Sequence, residues 1–241
     1  MKEPWTEVLR LTISYFLFAL VACTPVQADT EPGNEQASQV ESRAIVLVID
    51  KSGSMREQNK MHYAKELAKA IGRQLSDSDY LGVPGFPSSS DEYMADVVIP
   101  LDQVMHLRQQ DLINEKIDRL RPGGQTYFLP ALKRAMREIE GANANRKHVI
   151  LISDGETSGA QKELFDAVVA IKKLAIRVST IALGADGNTA IMRRTAHDGG
   201  GSFQLICDPS DLAHVTLESI VSGDTAEIGV GIDHCPTTEK P

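Results

Sequence analysis

The chain has 241 residues, 42% of them hydrophobic, with a formal net charge of -8. That length and apolar content suit one sizeable globular domain rather than a disordered chain. The acidic balance speaks against a nucleic-acid binder, which presents a basic face.

The N-terminus differs in kind from the rest. Leu11 to Ala22, LTISYFLFALVA, is uncharged and apolar, and Lys2 and Arg10 lie in the segment before it. The run is shorter than the ~20 residues of a spanning helix and suits the apolar core of a secretory signal. Two exits are open. Leu20-Val21-Ala22-Cys23 resembles a bacterial lipobox, with Cys23 as the lipidated residue, and Val26-Gln27-Ala28 resembles an ordinary cleavage site. An uncleaved anchor is the third reading. Residues 1–23 are therefore expected to be a signal or anchor, and 24–43, rich in Pro, Gly, Glu and Gln, a flexible linker. Such a linker of about 20 residues reaches at most ~65 Å. The expected location is outside the cytoplasmic membrane, periplasmic or at the cell surface, held by a lipid anchor.

From Ala44 onward, apolar strands alternate with amphipathic helices. AIVLVI at 44–49 is apolar throughout, as a strand buried on both faces requires. KMHYAKELAKAIGRQL follows, with Met61, Ala64, Leu67, Ala68, Ile71 and Leu75 on one helical face. YLGVPGF and ADVVIPL read as an antiparallel pair across the loop PSSSDEY. Pro84 interrupts the first of them and offers the ladder no N–H, so that strand is expected to be short, bulged or shifted.

RQQDLINEKIDRL and LPALKRAMREI are helices, the second with Pro130 in its first turn and Leu132, Ala135, Met136 and Ile139 on its apolar face. KHVILIS is a buried strand. KELFDAVVAIKKL, IRVSTIAL, NTAIMRRTAHD, GSFQLI and PSDLAHVTLESI continue the alternation. The expected fold is α/β: a doubly wound, mostly parallel six-stranded sheet with one antiparallel edge strand and helices on both faces. The domain covers 44–222, and 223–241 form a C-terminal tail.

Ligands in such sheets bind beyond the carboxyl ends of the strands. Asp50, Ser52 and Ser54 follow the first strand, and Asp154 follows HVILIS in the same manner. Thr126 sits in the Gly-rich loop RPGGQTY just before a helix. Two carboxylates and three hydroxyls are oxygen ligands, suited to Mg²⁺ or Mn²⁺ and not to zinc. Taken singly, these residues read more plainly as strand-end, turn and helix-start residues. Taken together, all five fall on one edge of the sheet.

The set resembles the metal-ion-dependent adhesion site of von Willebrand factor A domains: Asp-x-Ser-x-Ser, a distant Thr, then a distant Asp after an apolar strand. The likeness runs from about Ala44 to Ile220. IVLVIDKSGSM, GGQTYFLPALKRA and RKHVILISDGE are most similar to members from bacterial envelopes. The resemblance implies that Ser52, Ser54 and Thr126 contact the metal directly, while Asp50 and Asp154 act mostly through water. Neutral hydroxyls leave the ion much of its charge, so an Asp or Glu side chain of a protein partner completes its shell. Lys51, inside the motif, either helps attract that partner or points into solvent.

Three plainer features complete the reading. Cys207 and Cys235 either pair in an oxidising compartment or stay free. The histidines at 62, 106, 148, 197, 214 and 234 show no ligand spacing. Gly199-Gly200-Gly201 precedes a strand rather than a helix and reads as a helix-ending turn. Two other functions compete with metal-dependent binding. One is a structural module that works by surface contacts alone. The other is a phosphate-transferring or hydrolytic enzyme, which Ser52 disfavours by standing where a second acid is needed, as does the lack of a Gly-x-Ser-x-Gly elbow.

Overall fold

The computed structural model describes residues 41–86, 97–105, 110–155, 157–184, 189–222 and Cys235, all within one compact unit, Val40–Pro241. The segment expected to be a signal or anchor, the expected linker up to residue 40, the loop PSSSDEY, His106, His234 and most of the C-terminal tail lie outside the described residues, whereas 41–43, expected to be linker, join the domain, with Arg43 opening the first strand.

Six strands form one sheet: β1 (Arg43–Ile49), β2 (Tyr80–Val83), β3 (Ile99–Gln103), β4 (Arg146–Ser153), β5 (Ile176–Leu183) and β6 (Gly200–Ile206). Their order is β3-β2-β1-β4-β5-β6, and every pairing is parallel except that of β2 with the edge strand β3. The helices are α1 (Lys60–Arg73), α2 (Gln110–Asp118), α3 (Phe128–Glu140), α4 (Gln161–Lys173), α5 (Thr189–Gly199) and α6 (Leu217–Val221).

The apolar run of β1 divides by its period of two. Ile45, Leu47 and Ile49 pack with residues of α1, α2 and α6. Ala44, Val46 and Val48 pack with residues of α3, α4 and α5 on the opposite face. That two-sided burial is why the strand carries no polar alternation. Among the described residues no helix is long and apolar enough to cross a membrane.

The strand interrupted by Pro84 is short and shifted, as expected. β2 stops at Val83, one residue before Pro84, and its pairing with β3 shifts register between Leu81 and Val83. β3 correspondingly runs from Ile99 to Gln103 rather than over 95–101. A proline without an N–H ends the ladder, and the partner slides toward the residues that remain. The helix expected over 209–220 is also split, into a 3-10 segment, Pro209–His214, and α6. Val215 is extended, and Thr216 then restarts the helix through a capping box with Ser219.

Glycine permits a close approach at the turn into β6. α5 ends at Gly199 and β6 begins at once, where a Cβ on Gly201 would lie 2.3 Å from the Val178 carbonyl oxygen. The Sγ atoms of Cys207 and Cys235 are joined at 2.11 Å, with Cα atoms 5.3 Å apart.

Candidate metal centre

The parallel register of β1 and β4 builds the site. Ile49 stands opposite Ile152, and the Asp50 N–H extends the ladder by donating to the Ile152 carbonyl at 2.9 Å. Asp50 and Asp154 are thereby delivered to the same end of adjacent strands, both essentially fully buried.

Asp50 is held on both carboxylate oxygens. The Ser52 N–H donates to Oδ1 at 2.7 Å, and the Ser153 hydroxyl donates to Oδ2 at 2.5 Å. Burial pushes the Asp50 carboxyl up to about 6, against the opposing pull of these hydrogen bonds. Ser153 also accepts from the Gly155 N–H at 3.1 Å, so one hydroxyl ties the acid to the turn that carries Asp154.

The three hydroxyls share one cavity. Ser52 Oγ and Ser54 Oγ are 3.0 Å apart, in the loop where a 3-10 segment (Gly53–Asn59) begins. The loop carrying Thr126 is clamped against them: Gly53 N–H donates to the Gly124 carbonyl at 3.1 Å, and Gly123 N–H to the Lys51 carbonyl at 2.5 Å. A third strap runs from the Ser158 N–H to the Thr126 carbonyl at 2.8 Å. Ser52, Ser54 and Thr126 line one shallow cavity of about 380 Å³, together with Gly53, Gly124, Gln125, Thr157 and Ser158.

All five residues singled out in the sequence thus come to one edge. The hydroxyls line the cavity, and the acids are buried at the ends of the two strands. Such a donor set fits a hard cation: its side chains offer only oxygen, and two acids supply the charge. Among the described residues no group of three or more His, Cys, Asp or Glu is placed to hold a metal, so a zinc-type cluster is not an alternative there. His148 is a core residue bonded through Nε2 to the Ser179 hydroxyl at 2.8 Å, while His62, His197 and His214 are exposed.

Four residues of the site escaped the sequence reading. Thr157 and Ser158 add hydroxyls to the cavity, and their position just after Asp154-Gly155 was the available signal. Ser153 looked like the last residue of a strand. Lys60, the first residue of α1, extends its ammonium to Asp154 Oδ2 at 3.2 Å.

The family model for the von Willebrand factor type A domain matches residues 43–205. The chain belongs to this family. It is similar to human calcium-activated chloride channel regulator 4, at 24% identity over 69% of this chain. This chain spans only 17% of that protein's length. Among solved structures, a von Willebrand factor type A protein from Catenulispora acidiphila superposes with a TM-score of 0.63 at 27% identity, covering 72% of this chain and 41% of its own. The pilus adhesin SpaC from Lactobacillus rhamnosus GG superposes with a TM-score of 0.60 at 14% identity, over 73% of this chain and 30% of its own. The second likeness is one of fold alone.

Proposed function

We propose that this chain is a divalent-metal-dependent protein-binding module of the bacterial cell envelope. Ser52, Ser54 and Thr126 would hold Mg²⁺ or Mn²⁺ through their hydroxyls, with Asp50 and Asp154 behind them acting through water. An Asp or Glu side chain of the partner protein would complete the shell. The observation that carries this reading is the division of the site: the three neutral hydroxyl residues line one cavity, which the two fully buried acids do not line. An ion held this way faces outward with charge to spare, and an anionic oxygen is what it attracts.

An interaction role is supported by the family and by the fold shared with a pilus adhesin. We read the chain as non-enzymatic, because position 52 holds a serine where phosphate transfer needs a second acid. The N-terminal run ending in Cys23 supports export and lipid anchoring.

The test is thermal unfolding of the full chain with Mg²⁺ and a short Glu-containing peptide. The reading expects the peptide to raise the midpoint only when Mg²⁺ is present, and the matching Gln peptide to do nothing. Equal effects of both peptides, or an effect that survives EDTA, would speak for the second reading, a structural module that needs no metal. One observation favours that alternative: the Lys60 ammonium already neutralises Asp154.

A further inference from the structure

We infer that Lys60 is a positioning residue of the metal centre, a built-in counter-charge to Asp154. It weakens the site's own hold on a divalent ion and makes metal binding depend more strictly on an outside carboxylate. The inference rests on the metal reading above and adds to it a residue that the five-residue motif does not contain.

Three observations of different kinds support it. The first is burial. Lys60 Nζ lies 3.2 Å from Asp154 Oδ2, and the two side chains are 4% and 1% exposed. A lysine is almost never buried to this degree unless it is paired, and burying an ion pair costs desolvation on both sides.

The second is local conflict. Lys60 is the first residue of α1, where the helix dipole disfavours a positive charge. It is preceded by two non-glycine residues in the left-handed region, Gln58 at φ 49° and Asn59 at φ 59°. Asparagine tolerates this region, but at Gln58 such backbone persists only where surrounding structure imposes it.

The third is the room made for the side chain. Gly184 closes β5 at φ +83°, and a Cβ there would meet Lys60 Cε at 3.0 Å and Gln58 Oε1 at 3.1 Å. The glycine that follows β5 thus leaves room for the stem of this one side chain.

The charge count gives the consequence. Counted as an ion-paired set, Asp50 and Asp154 bring two negative charges, Lys60 returns one positive charge, and the hydroxyls bring none. A bound divalent ion then leaves one unbalanced positive charge, beside a buried interior and open only toward the cavity. In surroundings of low dielectric that surplus is expensive until an anion meets it from outside. Without Lys60 the two acids match the ion's charge, and the demand for a partner's carboxylate falls to what the neutral hydroxyls around the ion leave. Lys60 thus sets how strictly metal binding depends on the partner.

The experiment is calorimetric titration of Mg²⁺ into the metal-stripped full chain, wild type beside Lys60→Met, each with and without millimolar acetate. Thermal unfolding of the same samples is followed in parallel. Lys60→Met is expected to bind Mg²⁺ about tenfold or more tightly than wild type in buffer alone. Acetate should tighten binding in wild type severalfold more than in the variant. The variant should also melt lower than wild type without metal and gain more on saturation.

A merely structural lysine would lower the melting midpoint but move neither the Mg²⁺ affinity nor the acetate effect, and that result overturns the inference while leaving the metal reading intact. If Lys60→Met does not fold, Lys60→Gln replaces it, dropping the charge but keeping a donor for Asp154. Folded wild type and variant that both ignore Mg²⁺, with or without acetate, would remove the metal reading and this inference with it.

Discussion

Asp50 carries a charge where burial opposes it, and the Ser153 hydroxyl and Ser52 N–H are what hold it in place. Removing a group that orients a metal-site acid typically costs 10–100-fold in affinity. Ser153→Ala is therefore expected to weaken Mg²⁺ binding about tenfold while the chain stays folded, measured by titration beside circular dichroism; unchanged affinity would show that Asp50 needs no such support. His148 poses the opposite problem, a base that burial keeps neutral, its pKa lowered to about 3 by desolvation and by the nearby Arg177. The unfolded chain takes up its proton near pH 6.5, well before the folded one does. The stability linked to His148 is thus complete above pH 6.5 and is lost as pH falls toward 3, with a slope approaching ~1.4 kcal/mol per pH unit. His148→Gln should flatten that part of the urea-denaturation profile. A variant whose stability falls as steeply as wild type between those limits would contradict the assignment.

At the scale of elements, the turn from α5 into β6 is the tightest approach. Adding a methyl at Gly201 sets a carbon against the Val178 carbonyl oxygen and the Ser179 hydroxyl. The neighbour is backbone, so the strand must move. Gly201→Ala is expected to cost ~1–3 kcal/mol in equilibrium unfolding, and a cost within error of zero would mean that β6 yields freely. The sequence made most elements legible because the core has two faces. β1 and β4 read as apolar runs, and α1 and α3 as single apolar stripes. What it hid depended on partners far along the chain. Ser153 is paired with a residue 103 positions away, and only the β1–β4 register brings the two together. Lys60, read in sequence, is an ordinary polar residue at a helix start; its burial follows from Gly184 and Asp154, both on other elements. The five motif residues were legible for the opposite reason, since each sits beside a strand end or helix start that local pattern already fixes. The break at Val215 was missed because an apolar periodicity can continue across a helix that stops and restarts.

For the whole molecule, the parallel sheet places the site on one edge, and the Cys207–Cys235 link closes a separation of 28 residues that contains α6. A cross-link of that span stabilises by ~2–4 kcal/mol. Cys235→Ser is expected to lower the unfolding free energy by that amount, and equal stability of variant and wild type under oxidising conditions would show that the link constrains nothing. The central claim remains the metal centre formed by Asp50, Ser52, Ser54, Thr126 and Asp154. The most direct measurement is calorimetric titration of Mg²⁺ and Mn²⁺ into the metal-stripped full chain, with Asp50→Ala and Thr126→Ala beside it. The account predicts saturable binding at one site in wild type, lost in both variants. Binding that persists in both folded variants, or a folded wild type that takes up neither ion even with millimolar acetate present, would contradict it.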